Sequence, residues 1–169
     1  MKNETKGIAP LILAIVVIVV VAVAGVGVFV ATRGGGTDGG GGDGTGGDVG
    51  SATSLSFDIT ETSTGSAFTY KAKDIGSSNM KMRIEGTVSS YDIIYIINGA
   101  TQTMWMYASG TWFDMSSSYS TYWDTYSTML SGYQTDLGSW TGSGSQTVGT
   151  VTISNIQVNP SLADSLFTH

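Results

Sequence analysis

Apolar and polar residues alternate with a period of two almost throughout residues 52–169, which predicts β-strands that bury one face and expose the other. Asn98-Gly99 lies between two such runs and is typical of a two-residue hairpin turn, because both residues tolerate positive φ. The expected fold class is mainly β (α+β), with an antiparallel sheet. Its seven predicted strands lie within residues 55–59, 68–72, 80–84, 91–97, 102–107, 111–115 and 148–158.

One stretch before the last strand has a helical period instead. Its apolar positions recur three or four residues apart, on one face of a helix that would cross the sheet: Tyr119, Trp123, Tyr126, Leu130 and Tyr133. Gly132 is expected to mark the end of this helix. A short helical turn is also predicted near residue 160, with Asn159 as N-cap and Pro160 at the first helical position. Its apolar side chains would dock on the sheet: Leu162, Leu166 and Phe167.

Residues 8–31 form a different kind of segment, 24 residues without a charged side chain. As a helix they would extend about 36 Å, enough for a hydrocarbon core of about 30 Å. A cleaved signal peptide has a shorter apolar core of roughly 7–15 residues, so we expect an uncleaved, single-pass anchor. Lys2 and Lys6 precede the segment, which favours an inside N-terminus and an extracellular C-terminal domain at the cell membrane.

The segment after the anchor is rich in glycine, with 11 Gly between residues 34 and 50. It cannot bury enough apolar surface to offset its chain entropy, so a solvated linker is expected. The predicted organisation is a cytoplasmic N-terminus (1–7), a transmembrane helix (8–31), a Gly-rich linker (32–51) and an extracytoplasmic antiparallel β domain (52–169).

Composition and charge exclude several functions. The chain has 7 Lys+Arg against 13 Asp+Glu, a net charge of −6, and it lacks the basic stripe that nucleic-acid binding needs. It has no cysteine, and its one histidine is the terminal His169. Asp58 and Glu61 fall on opposite faces of a strand and cannot share a substrate. We therefore expect no enzyme, no catalytic residue, no metal and no cofactor.

Several strand sequences resemble a known family. The runs MKMRIEG (80–86), IIYIING (93–99), TMWMY (103–107) and GTWF (110–113), with the closing run VTISNIQVNP (151–160), are similar to the core of the LolA/LppX-like lipoprotein-carrier superfamily, especially its membrane-anchored archaeal relatives. The resemblance implies a curved antiparallel sheet, a half-barrel over one or two helices, whose hydrophobic concavity holds acyl chains. This chain departs from the family in being shorter and in lacking a basic residue on the apolar face.

The candidate site follows from that resemblance together with the aromatic residues. An apolar groove is expected to be lined by Met82, Ile84, Tyr95, Trp105 and Trp112, under a helical lid formed by Tyr119, Trp123 and Tyr126. The ligand would be a lipid or another hydrophobic small molecule, drawn from the bilayer to which the domain is tethered. Trp140, in a Gly/Ser-rich loop, is the candidate for an exposed ring. The alternative that these rings only fill a core stays open.

Two other functions remain open from the sequence. The run Lys6-Gly7-Ile8-Ala9-Pro10-Leu11 resembles the processing site of archaeal type IV pilin-like precursors, which predicts cleavage after Gly7 and assembly into a filament. The other is a surface adhesion module without a cavity, which would bind a surface-protein partner. One sequence does not separate a cavity lining from a core, because both consist of alternating apolar residues.

Overall fold

The computed structural model describes residues 47–62, 64–88, 90–140, 144–148 and 150–169. The segment predicted to be a transmembrane helix (8–31) and most of the predicted linker lie outside these residues. Within the described ranges, no helix combines the length and the apolar character needed to cross a bilayer. The described chain is mainly β, one open antiparallel sheet of eight strands plus one α-helix, so the predicted β class is confirmed.

The strands follow one another closely along the chain. They are β1 (Ser54–Glu61), β2 (Ala67–Lys73), β3 (Lys81–Val88), β4 (Tyr91–Asn98), β5 (Thr103–Ala108), β6 (Thr111–Asp114), β7 (Ser145–Val148) and β8 (Val151–Val158). The helix α1 (Tyr119–Asp136) lies between β6 and β7. Three short 3-10 turns complete the fold: Val49–Ser51, Ser116–Ser118 and Asp164–Phe167.

The sheet is a meander extended at one edge. Its spatial order is β6-β5-β4-β3-β2-β1-β8-β7, and every neighbouring pair is antiparallel. Strands β1 to β6 pair in chain order. The connection through α1 then carries the chain from the β6 edge to the opposite edge, where the β7–β8 hairpin pairs with β1. The helix α1 therefore packs across one of the two faces of the sheet.

Alternation divides each strand between two faces, and the pairing register aligns the residues of each face in rows. We call the face under α1 the inner face and the other the outer face. One inner row crosses the sheet along its middle: Phe57, Tyr70, Ile84, Tyr95, Met106 and Phe113. We call this the middle row. Its first five residues are buried, and together with α1 they form the core.

The hairpin between β4 and β5 is longer than predicted. Asn98 pairs with Thr103, so four residues rather than two connect the strands. The positive φ falls at Gln102 (54°), and Gly99 has a different function. A Cβ on Gly99 would collide with the carbonyl oxygens of Ser78 and Met80 and with the ring of Trp123 on α1. Gly99 is thus required for close packing, not for a positive φ.

The last predicted strand is in fact a hairpin. Val148 pairs with Val151, so β7 ends and β8 begins within residues 148–151. The sequence signal was a Gly followed by a polar residue between two valines, a common two-residue hairpin pattern. In β8 the register with β1 shifts by one residue, and Asn155 takes a positive φ of 52°. This β-bulge lets the side-chain Nδ2 of Asn155 donate to Asp58 Oδ2 at 2.8 Å.

The helix also runs further than predicted, through Gly132 to Asp136. A glycine inside a helix costs about 1 kcal/mol relative to alanine. Burial of Tyr133 and Leu137, each less than 9% exposed, exceeds that cost because a large buried side chain stabilises by about 1.5–3 kcal/mol.

The described domain begins before residue 52, the predicted boundary. Val49 is fully buried, and its amide donates to the carbonyl of Trp140 at 3.2 Å. The Gly50 amide donates to Gly138 O at 2.9 Å. Gln134 Nε2, on α1, donates to the carbonyls of Val49 and Ala52 at 3.2 and 3.0 Å. The first 3-10 turn is therefore bound to the C-terminal end of α1.

The segment after β8 crosses the outer face. Asp164 accepts from Lys73 at 3.2 Å and from Lys81 at 2.7 Å, and Phe167 is 2% exposed. The predicted docking through Phe167 is confirmed, but the predicted cap is wrong. Asn159 has a positive φ of 53°, and its Oδ1 accepts from Thr53 N at 2.8 Å instead of capping a helix. The helical turn itself starts later, at Asp164.

Candidate functional site

The candidate site lies between α1 and the middle row of the sheet. Three predicted lining residues are found there, Met82, Ile84 and Tyr95, each 1% exposed. Alternation explains their common face, since Met82 lies two residues before Ile84, and Ile84 pairs with Tyr95. The predicted lining therefore shares a surface here, and α1 packs against that surface.

The predicted lid residues lie on α1. Tyr126 is fully buried, whereas Tyr119 and Trp123 are half-buried and pack against the core. The rings of Tyr119 and Trp123 stack with centroids 5.5 Å apart. Spacings of four and seven residues place the three side chains on one helix face, as the helical period predicts. The buried part of that face continues toward the C-terminus through Met129, Leu130 and Tyr133.

Trp105 and Trp112 lie on the outer face, and their placement in the groove is wrong. Met104 and Met106 occupy the inner positions of β5, so Trp105 between them must point the other way. Trp112 pairs with Tyr107, an outer residue. Trp105 stacks on the imidazole of His169 at a centroid distance of 3.5 Å, so the segment after β8 covers it.

Trp140 is also not the exposed ring that its loop predicts. It is half-buried and packs against the core beside the C-terminal end of α1. Its carbonyl accepts the Val49 amide, as described above. Trp140 therefore belongs to the packing that holds α1, not to an interaction surface.

Four buried tyrosines belong to the core that the sheet forms with α1, and we call Tyr70, Tyr95, Tyr126 and Tyr133 the tyrosine cluster. Tyr70 and Tyr95 are two strands apart in the middle row, which corresponds to about 10 Å. Tyr126 and Tyr133 are seven residues apart on α1, also about 10 Å. The matching spacings let the helix pair cover the sheet pair.

Three hydroxyls of the tyrosine cluster are buried without a hydrogen-bond partner among the described residues: those of Tyr95, Tyr126 and Tyr133. The Tyr70 hydroxyl donates to the Met129 sulfur at 3.7 Å. Buried polar atoms are normally paired, so three unpaired hydroxyls in one core are unusual. They are the least expected feature of this core.

Burial raises the pKa of every tyrosine in the cluster well above its ordinary value. Neighbouring groups raise these pKa values further: Tyr126 is affected by Tyr95, and Tyr70 by Tyr126 and then Tyr133. Burial likewise raises the pKa of Asp136, whose carboxylate in turn raises the pKa of Tyr133. The cluster therefore stays protonated and can donate hydrogen bonds.

Methionine makes up much of the remaining interface. Five of the seven methionines in the sequence are buried in the same core as α1: Met80, Met82, Met104, Met106 and Met129. The thioether side chain is flexible and polarisable, and it adapts to irregular shapes. This interface can change its packing more easily than one of branched side chains.

Sequence reasoning missed Tyr70, Tyr133 and Met129 as members of the site. Tyr133 was on the predicted helix face, and its spacing of seven residues from Tyr126 was the available signal. Tyr70 was on a predicted inner face, but the strand register that brings it near α1 depends on long-range pairing.

A concave surface of about 620 Å³ lies elsewhere on the described domain, over polar side chains near the β8 bulge. Both carboxylates in its lining are occupied by protein donors. Asp58 accepts from Thr69 at 2.7 Å and from Asn155 at 2.8 Å, and Glu85 pairs with Lys71 and Arg83. This groove therefore presents no free carboxylate to a ligand.

Comparisons with known proteins add no assignment, since no family, curated protein or solved structure significantly matches this chain.

Proposed function

We propose that this chain is a membrane-tethered extracytoplasmic protein whose β domain binds, and passes on, a lipid or another hydrophobic small molecule. The binding site would lie between α1 and the middle row of the sheet. The observation that carries the proposal is the set of three unpaired hydroxyls in the tyrosine cluster.

The energetic reason is the cost of those hydroxyls. A buried hydroxyl without a partner destabilises a fold by about 1–3 kcal/mol, and a whole domain is stable by only about 5–15 kcal/mol. Three such groups are therefore expensive to keep unless a ligand pairs with them. Phenylalanine at the same positions would avoid the cost and fill nearly the same space.

The surroundings suit a ligand that is otherwise apolar. Side chains near the cluster are aliphatic, aromatic or methionine, as in Phe57, Ile84 and Met106. A hydrocarbon chain could replace protein contacts there as α1 shifts, because methionines can change rotamer at small cost. The predicted anchor at 8–31 would keep the domain beside a bilayer, the source of such ligands.

A photocrosslinking experiment on the full chain in lipid nanodiscs tests the proposal. The probe is the methyl ester of a fatty acid that carries a diazirine, and mass spectrometry maps the labelled residues. We expect labels on inner residues of β3 to β5 and on the buried face of α1. Labels confined to residues 8–31 or to the outer face would refute the proposal, because the probe would then report only the bilayer or a surface contact.

The outer face supports a second candidate, a surface adhesion module. Trp105, Tyr107 and Trp112 are half-buried side chains on that face, and Tyr107 contacts Trp112 at a centroid distance of 5.3 Å. Partly exposed aromatic groups are common in protein interfaces. Selective labelling of these residues in the same experiment would favour this function.

A further inference from the structure

We infer that the ligand of the tyrosine cluster is uncharged and carries a carbonyl oxygen at its polar end. This inference rests on the proposed function, and it names the chemical class of the ligand. It follows from which groups lie on each face of the sheet.

The basic side chains of the described domain lie on the outer face. Lys71, Lys73, Lys81 and Arg83 occupy alternate positions of β2 and β3, opposite in parity to the buried residues. Each is already paired with a carboxylate: Lys71 and Arg83 with Glu85, and Lys73 and Lys81 with Asp164. Among the described residues, no lysine or arginine on the inner face can neutralise an anionic headgroup.

The ionisable groups on the helix side of the sheet are acidic. Asp136, in the last turn of α1, has a buried Oδ2 without a hydrogen-bond partner. It acts electrostatically on Tyr133, so it lies close to the cluster. A carboxylate or phosphate brought beside the cluster would lose its hydration and meet the carboxylate of Asp136.

Each unpaired hydroxyl of the cluster has one O–H group to donate. Each tyrosine of the cluster remains protonated, and each unpaired hydroxyl needs an acceptor. One carbonyl oxygen has two lone pairs and can accept from two hydroxyls, without bringing a donor that needs a partner of its own. An uncharged ester or ketone therefore satisfies more of the cluster than a hydrocarbon does, at no electrostatic cost.

Three ligands with the same hydrocarbon chain test this inference: methyl palmitate, palmitic acid and hexadecane. Each competes with the diazirine ester for labelling of inner-face residues in the full chain in nanodiscs at neutral pH. Amounts are expressed as mole fraction of the nanodisc lipid, so that partitioning into the bilayer does not bias the comparison. We expect methyl palmitate to compete at least about 10-fold better than the other two, a difference of about 1.4 kcal/mol.

Tyrosine variants identify the hydroxyls that accept the ligand. Tyr126→Phe should reduce the advantage of methyl palmitate over hexadecane at least about threefold, because it removes one buried donor and leaves the ring in place. Tyr107→Phe is the matched control, since it removes a hydroxyl from the outer face. In the unmodified chain, the infrared band of an isotope-labelled ester carbonyl should move to lower frequency than in empty nanodiscs.

The possible failures are distinguishable. Equal competition by palmitic acid and methyl palmitate, or an unshifted carbonyl band, would overturn the inference and leave the proposed function in place. An equal loss of ester preference in both variants would also overturn it, because the effect would not come from the cluster. If the probe does not label the inner face at all, the proposed function itself fails.

Discussion

The unpaired hydroxyl of Tyr126 makes a prediction whose sign is unusual for a core substitution. Tyr126 is 0% exposed, and its hydroxyl has no partner among the described residues. Tyr126→Phe removes a polar atom that contributes no hydrogen bond and preserves the ring packing. In the absence of added ligand, we expect the free energy of unfolding to increase by about 1–2 kcal/mol, since an unpaired buried hydroxyl costs about 1–3 kcal/mol.

The measurement is thermal unfolding of the full chain in nanodiscs, followed by tryptophan fluorescence. For a domain of this size the expected rise in Tm is roughly 4–8 °C. Tyr107→Phe is the control, and it should change the stability by less than about 0.5 kcal/mol. A lower Tm for Tyr126→Phe would refute the reasoning, because the hydroxyl would then have a partner in the free protein. The proposed binding function would lose its main support with it.

Four other substitutions test the packing and the charges. Gly99→Ala should destabilise the domain by at least about 2 kcal/mol, because its new Cβ meets two backbone carbonyls. Gly132→Ala, in open space on α1, should stabilise the domain by about 0.5–1 kcal/mol. Thermal unfolding measures both effects. Phe167→Ala should cost about 3 kcal/mol, and hydrogen exchange of residues 160–169 should speed up as they leave the outer face. Glu85→Gln should lower the free energy of unfolding by about 1 kcal/mol at neutral pH. Chemical denaturation should show no such difference in acid.

The pH dependence of Glu85→Gln follows from the direction of the pKa shift. Burial raises the pKa of Glu85, but the hydrogen bonds from Lys71 and Arg83 outweigh burial and hold it below its ordinary value of 4.5. The carboxylate therefore adds stability above that value, and the stability is lost as the pH falls through the lowered pKa. A difference between the two proteins that persists unchanged in strong acid would contradict this account. Equal stability of Gly99→Ala and Gly132→Ala would contradict the account of glycine packing. Unchanged hydrogen exchange of residues 160–169 in Phe167→Ala would contradict the account of the C-terminal segment.

The alternation of residues predicted most of the sheet because strand faces follow from local sequence. Met82, Ile84 and Tyr95 were assigned to one buried face, and the structure places them there. The same rule assigns Trp105 to the opposite face, between Met104 and Met106. It was placed in the groove because of its size and type, and the contact that covers it, from His169, joins residues far apart in the sequence.

Other features depend on tertiary contacts that no local pattern contains. Glycine ends many helices, but this helix continues past Gly132 because Tyr133, the next residue, is buried in the core. The tyrosine cluster depends on strand register, on the length of α1 and on the angle at which it crosses. Its members were visible as inward-facing rings, but the lack of partners for their hydroxyls is a property of the folded interior alone.

The attachment of the first 3-10 turn has a mechanical consequence. The Val49 and Gly50 amides bind carbonyls beyond the C-terminal end of α1, and Gln134 on α1 holds the turn from the other side. Tension along the chain that precedes Asp48 would therefore reach α1 through these bonds as well as reaching β1. If the domain is tethered as proposed, a pull on the chain before Asp48 therefore acts on the helix that covers the core as well as on the sheet.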